Sequence, residues 1–241
     1  MSTITKWEKK GDEYVFYKDG KKIDLIQWNK EMNKDHSMDV LEGHPNPLIK
    51  LEENDRRRKI ISLVPRNKDN IIADVGCEKG YNSKALLDRC SKIYCVDIDP
   101  VLLEKTKAFV NSPKAEFVVS DAQNIKLKND SVDISLSSHV LEHLPDPKIG
   151  MAELVRITKP TGLIVINLPN EIVVLRIKKL LKALHMGFLF KGLNMGLAPG
   201  HLHIFNKKKL IEIIDGKAKI VKFGYNFPFY TNMFAVLKPN K

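Results

Sequence analysis

The sequence predicts an α/β fold: a three-layer sandwich in which helices flank a mostly parallel seven-stranded sheet with an antiparallel last strand. Three observations carry this. Short apolar runs recur from Ile71 onward, each followed by a stretch whose apolar residues fall at helical spacing. The first run, Ile71-Ile72-Ala73-Asp74-Val75, leads into Gly76 and Gly80 and then into a helical pattern from Tyr81 to Leu87. At the far end, 218–224 and 234–237 read as an antiparallel pair of strands that closes the sheet.

The chain before this rhythm, 1–68, is expected to form an N-terminal extension of hairpin and helices, with the main domain at 69–241. Tyr14-Val15-Phe16-Tyr17, Asp19-Gly20 and Lys22-Ile23 read as a hairpin, because Asp-Gly between β-prone runs favours a tight turn. Residues 24–35 read as a short helix and 36–47 as a loop broken by Gly43, Pro45 and Pro47. Residues 48–64 read as a charged helix ended by Pro65, with Arg56-Arg57-Arg58 as its solvated face.

From Ile71 each unit adds a strand. Glycine at 76 and 80 suits a turn that visits positive φ, and leaves out a Cβ that would hold a ligand off the backbone. The resulting strand–turn–helix junction directs backbone N–H groups toward a ligand at the carboxyl edge of the sheet. Its D-x-G-x-x-x-G spacing differs from G-x-G-x-x-G, which points away from a pyrophosphate ligand and from a nicotinamide oxidoreductase. Ile93 to Asp97 is a second strand ending in an acid, near the offset of ~20 residues at which a carboxylate meets ribose hydroxyls. Asp99-Pro100 suits the start of the next helix. Further strands at 115–119, 132–136 and 163–169 lead into Ser120-Asp121-Ala122, Ser137-Ser138-His139 and the segment from 171.

Composition sets outer bounds. The net charge is +11, yet the lysines are spread along the chain without a block of consecutive basic residues, so nucleic acid is not the expected partner. No apolar run approaches the ~18 residues of a membrane span, and the N-terminus lacks an apolar signal core. The three cysteines, Cys77, Cys90 and Cys95, read as free thiols in a reducing cytoplasm.

The pieces together resemble the class I S-adenosylmethionine-dependent methyltransferases, in particular the small-molecule, methyltransferase type 11-like group, whose fold is Rossmann-like. The matching residues are the glycine loop Asp74–Gly80, the acid Asp97, Asp121-Ala122, Leu-Glu-His-Leu-Pro-Asp-Pro at 141–147, and Lys-Pro-Thr-Gly at 159–162, where the group commonly has a second glycine in place of Thr161. They cover about 71–170 in order; Gly200-His201-Leu202-His203-Ile204-Phe205 resembles the group's sixth-strand region. The resemblance implies S-adenosyl-L-methionine as cofactor. Gly76 and Gly80 would lie against its methionine part, with Asp74 supporting the loop and Ser137 beside it. Asp97 would bind the ribose hydroxyls, Ile98 would pack on adenine, and Asp121 and the Ala122 backbone would meet the adenine edge.

Methyl transfer from a sulfonium is a direct displacement, so the protein contributes alignment, water exclusion and, for some acceptors, a base. His139 is the base candidate, because the resemblance puts it beside the transferred methyl. His139, Glu142 and His143 stand at i, i+3 and i+4, with His201 or His203 available from a later loop. Metal-dependent O-methyltransferases carry Glu-x-x-Glu-His here; His139 replaces the first carboxylate, and no metal ligand is assigned. The segment 171–200 is apolar and basic and reads as a lid over the acceptor site, with the 1–68 extension also covering the pocket. The expected acceptor is therefore a small hydrophobic, aromatic or lipid-like molecule, in a cytoplasmic protein for which peripheral contact with an anionic membrane stays open. An RNA methyltransferase and a non-catalytic S-adenosylmethionine-binding protein are the competing readings.

Overall fold

The computed structural model describes residues 5–11, 13–36, 47–183, 185, 200–228 and 230–241. The predicted 36–47 loop and the distal half of the predicted lid fall almost wholly outside them. The chain opens with β1 (Thr5–Lys10), β2 (Glu13–Lys18) and β3 (Lys21–Ile23), a small antiparallel sheet separate from the main one. Asp19 and Gly20, both at positive φ, make the predicted tight turn between β2 and β3. The expected hairpin thus gains a third strand, β1. Then come α1 (Leu25–His36) and α2 (Pro47–Leu63). The carbonyls of Ile61 and Val64 at the end of α2 accept from Arg89 Nη1, which caps that end.

The main sheet is built from β4 (Ile71–Val75), β5 (Lys92–Asp97), β6 (Ala115–Val119), β7 (Val132–Ser138), β8 (Thr158–Pro169), β9 (Ala218–Tyr225) and β10 (Asn232–Pro239). Their spatial order is β6-β5-β4-β7-β8-β10-β9. The first five pair in parallel, and β10 runs antiparallel between β8 and β9. From β4 the chain moves outward through β5 and β6, then returns to β7 on the other side. The crevice between β4 and β7 is therefore the switch point, where α/β sheets bind ligands beyond their carboxyl ends.

Strand alternation explains the three layers. Ile164, Ile166 and Leu168 of β8 face one core with Met151, Leu154 and Ile157 of α5 (Pro147–Ile157), once α3 (Tyr81–Ala85) and α4 (Pro100–Val110) have been placed along the chain. The intervening Leu163 and Val165 face the other core with Ile60, Leu63 and Val64 at the end of α2. β10 repeats the pattern, with Ala235 and Leu237 on the first side and Phe234 and Val236 on the second. Two further helices, α6 (Glu171–Ala183) and α7 (Lys207–Ile214), complete the fold; Leu210 and Ile213 of α7 join the first core. Helix starts follow local chemistry: Asp99 and Asp146 each accept a backbone N–H ahead of Pro100 and Pro147.

One sequence expectation is overturned. Arg56 is not on a solvated face; it is 4% exposed and paired with Glu53, itself 7% exposed. Helix α2 crosses above the carboxyl ends of β7 and β8, so Arg56 Nη1 donates to Ser138 Oγ (3.0 Å) and to Asn167 Oδ1 (3.3 Å). A helical pattern viewed locally cannot reveal that its charged side meets polar strand ends.

Candidate active site

The sequence-predicted residues fall in one row. Gly76 and Gly80 follow β4, Asp97 and Ile98 end β5, Asp121 and Ala122 follow β6, and Ser137 lies at the end of β7. These are the carboxyl ends of four adjacent parallel strands. Asp97 is fixed by two backbone donors: Glu78 N–H to Oδ2 (2.9 Å) and Asp99 N–H to Oδ1 (3.0 Å). Each oxygen retains a lone pair for a hydroxyl. Burial pushes the Asp97 carboxyl above its usual range, and the backbone bonds oppose that shift. Asp121 Oδ1 accepts from Gln123 N–H (2.8 Å), closing a turn.

The glycine loop adopts the anticipated backbone, with φ of +72° at Gly76 and +84° at Gly80. The space beside each glycine is taken by protein, however. A Cβ at position 76 would meet Val140 Cγ2 at 2.3 Å, and one at position 80 would meet Thr106 and Val110 methyls at 2.7 Å. Packing against Val140, Thr106 and Val110 thus accounts for both glycines without close approach of a ligand. Sequence reasoning missed these partners, the nearest of them 26 residues beyond Gly80.

Asp74 lies beneath the loop, 1% exposed, and accepts from Ser83 Oγ (2.6 Å). Burial pushes its carboxyl up from 3.8 to about 6, with the Ser83 bond opposing and the Asp97 charge adding to the rise. The native state therefore holds a proton between about pH 4 and 6 that the unfolded chain has released, so stability falls as pH rises through that window. A shift of roughly two units corresponds to about 3 kcal/mol. Urea unfolding of Asp74→Asn against the wild type should show a shallower fall across this window in the variant, with the remaining slope coming from the other raised carboxyls, Asp97 and Glu142. Equal slopes would remove Asp74 as its source.

At the other side of the switch point, His139 follows β7 at φ +56°. Asn232 Nδ2 donates to Glu52 Oε1 (2.6 Å), which turns Asn232 Oδ1 toward His139 Nε2 (2.7 Å). Nε2 then carries the ring proton and Nδ1 the lone pair. Burial, reinforced by the Arg56 charge, holds His139 well below the usual imidazole range, so the ring is neutral and a weaker base than a free imidazole. The supporting network of Glu52, Glu53, Arg56, Asn167 and Asn232 joins α2, β8 and β10, and none of it was identified from sequence.

Beyond His139 the chain makes a 3-10 turn at Leu141–His143, so the i, i+3 and i+4 positions 139, 142 and 143 do not share an α-helix face. Glu142 is fully buried, and burial pushes its carboxyl up to about 7. The turn is laced to the 200–203 segment: Leu202 and His203 N–H groups reach the Glu142 carbonyl, and His143 Nδ1 lies 3.0 Å from the Gly200 carbonyl. His203 Nε2 is committed to the Leu144 and Pro145 carbonyls. The extension packs here as well, through Phe16 and Trp28 against Leu202. An open groove of about 650 Å³ adjoins the end of β8, lined by Asn170, Ile172, Val173 and Ile177 with Tyr225 and Tyr230.

Residues 73–166 match the family described as "Methyltransferase domain". Among curated proteins, an uncharacterized methyltransferase of Mycobacterium avium (strain 104) is 35% identical over 96 residues, covering 40% of this chain and 38% of that protein. One of Mycobacterium bovis (strain BCG / Pasteur 1173P2) is 38% identical over 97 residues, with 40% and 38% covered. The chain thus spans well under half the length of the curated relatives it matches. Among solved structures, the N-methyltransferase NodS from Bradyrhizobium japonicum WM9 in complex with S-adenosyl-L-homocysteine superposes with a TM-score of 0.63 at 13% identity, covering 91% of this chain and 100% of that one. A SAM-dependent methyltransferase from Aquifex aeolicus gives 0.59 at 13% identity, covering 89% and 98%. The match to a methyltransferase domain thus spans β4 into β8 of a sheet with the methyltransferase Rossmann-like fold.

Proposed function

We propose that this protein transfers a methyl group from S-adenosyl-L-methionine to a small hydrophobic, aromatic or lipid-like acceptor. The observation that carries the reading is the row of strand-end residues on β6, β5, β4 and β7. Asp97, pre-oriented by two N–H donors, has the acceptor capacity to take a ribose diol. Ile98 would pack on the adenine, with Asp121 and the Ala122 backbone at its edge. Gly76, Gly80 and Ser137 would border the methionine part, and the Asp74 carboxylate would favour its ammonium group. The bound cofactor supplies a methyl group on a sulfonium. His139 Nδ1 would take the acceptor's proton while Asn232 holds the ring's orientation.

The acceptor class rests on Ile172, Val173, Ile177, Tyr225 and Tyr230 in a groove that Asn206, Lys207 and Lys208 also line. The 1–68 extension would cover the site, a placement supported by Phe16 and Trp28 on Leu202 and by Lys30 Nζ at 3.5 Å from Asp99. Among the described residues no helix is long and apolar enough to cross a membrane. A cytoplasmic protein with peripheral membrane contact fits the buried free thiols and the basic α6.

Calorimetric titration with S-adenosylmethionine, S-adenosylhomocysteine and NAD tests the pocket. Both adenosyl compounds should bind and NAD should not. Asp97→Ala should weaken binding by roughly 1–3 kcal/mol through loss of charge-assisted hydrogen bonds. Unchanged affinity in that variant would place the ribose elsewhere.

A further inference from the structure

We propose that the groove beside α6 binds an anionic amphiphile, a molecule with an apolar body and a carboxylate or phosphate head. The head meets Lys207 and Lys208, and the body lies along the apolar side of α6 and the tyrosines beside it. This deepens the acceptor reading above and rests on it only for the ligand's role as methyl acceptor, not for the binding itself. At about 650 Å³ the groove has the size of a small-molecule site.

The lining has an apolar part and a cationic part. Ile172, Val173 and Ile177 of α6 contribute to the first, together with Tyr225 and Tyr230. Ring contacts join the aromatic residues into a row: Phe223 to Tyr225 at 5.3 Å between centroids, and Tyr225 to Tyr230 at 6.3 Å. Ile177, Tyr225 and Tyr230 are nonetheless 38%, 36% and 47% exposed. An apolar strip left open to water and rimmed by charge is the surface of a ligand groove, because covering it removes apolar area from water.

Charge selects the head. The lining includes Lys207 and Lys208 and no acidic residue. On α7 it is Lys209 that pairs with Glu212 (2.8 Å), whereas Lys207 holds its Nζ 4.9 Å from the Phe223 ring centroid. That contact sets a cation at the Phe223 end of the aromatic row. At the other end the Tyr230 carbonyl accepts from Asn170 Nδ2 at 3.0 Å. Asn170 N–H donates to the Thr231 carbonyl (2.7 Å), next to the Asn232 that holds His139. The groove is therefore cationic at one end and continuous with the His139 network at the other. A lysine ammonium acts as a point charge, so carboxylate and phosphate both satisfy it and a neutral hydroxyl does not.

Calorimetric titration of the full-length protein at low salt with decanoate, decyl phosphate and decanol tests the groove. An anion should bind saturably at one equivalent, and decanol at least about 5-fold more weakly. The tighter of the two anions identifies the head as carboxylate or phosphate. Lys207→Met combined with Lys208→Met should weaken anion binding about 5–30-fold and leave decanol binding unchanged, which also reports an intact fold. Lys128→Met combined with Lys238→Met removes the same charge from exposed positions elsewhere and should bind as the wild type does. Tyr225→Ala should weaken all three ligands about 10-fold. Absence of anion binding, equal wild-type affinity for anion and alcohol, or unchanged anion binding in the Lys207 and Lys208 double variant would overturn the site. Binding to phosphatidylglycerol vesicles with none to the monomeric amphiphiles would overturn it too, and make this face a membrane contact. The S-adenosylhomocysteine titration on the same protein separates the two readings: amphiphile binding without it retains the groove and removes methyl transfer.

Discussion

Arg56→Ala is expected to destabilise the protein by about 3–5 kcal/mol, because it strands a buried charge on Glu53. Glu53 Oε2 receives both Nε (3.0 Å) and Nη2 (2.5 Å) of this guanidinium, while Nη1 serves Ser138 and Asn167. Burial works against the charge of Arg56, and Glu53 and Glu52 more than compensate. Removing the arginine leaves Glu53 Oε2 without its two donors and breaks the tie from α2 to Ser138 and Asn167, although Asn167 Oδ1 still accepts from Ser138 Oγ. Replacing both partners together, as Arg56→Met with Glu53→Leu, should recover much of the loss, since apolar substitutes for a buried pair are often neutral. Urea unfolding of the two single variants and the double variant measures the coupling. A cost below ~1 kcal/mol for Arg56→Ala is what an exposed ion pair would give and would contradict the buried network.

His139→Ala is expected to lower turnover by about 10²–10⁴-fold, the usual worth of a positioned acid–base group. Affinity for S-adenosylhomocysteine should change less than about twofold, because His139 follows β7 whereas Asp97, the proposed ribose residue, ends β5 on the other side of β4. Asn232→Leu should lower turnover in the same direction, since Nε2 would lose the acceptor that sets its tautomer. Single-turnover methylation of acceptors found by screening phenols and fatty acids reads both variants. Full activity in His139→Ala would take this residue out of the reaction and favour an acceptor that ionises without help.

Much of the fold was legible along the chain because its signals are local. Strands β4 to β10 announced themselves as apolar runs, Asp99-Pro100 as a helix start and Asp19-Gly20 as a turn, each decided by neighbours within a few residues. The row Asp74, Gly76, Gly80, Asp97, Asp121 and Ser137 followed for the same reason, since parallel strands with helical returns bring their carboxyl ends to one edge. Tertiary structure alone decided what lies against that row. Arg56 reaches Ser138 and Asn167 across 82 and 111 residues, and Asn232 reaches Glu52 across 180. Val140 fills the space at Gly76, and His201 comes to Glu142 and His143 only through the closure of the loop before α7. Periodicity records which side of an element is buried. It carries no record of which distant polar group satisfies a buried charge, because that partner is set by packing between elements.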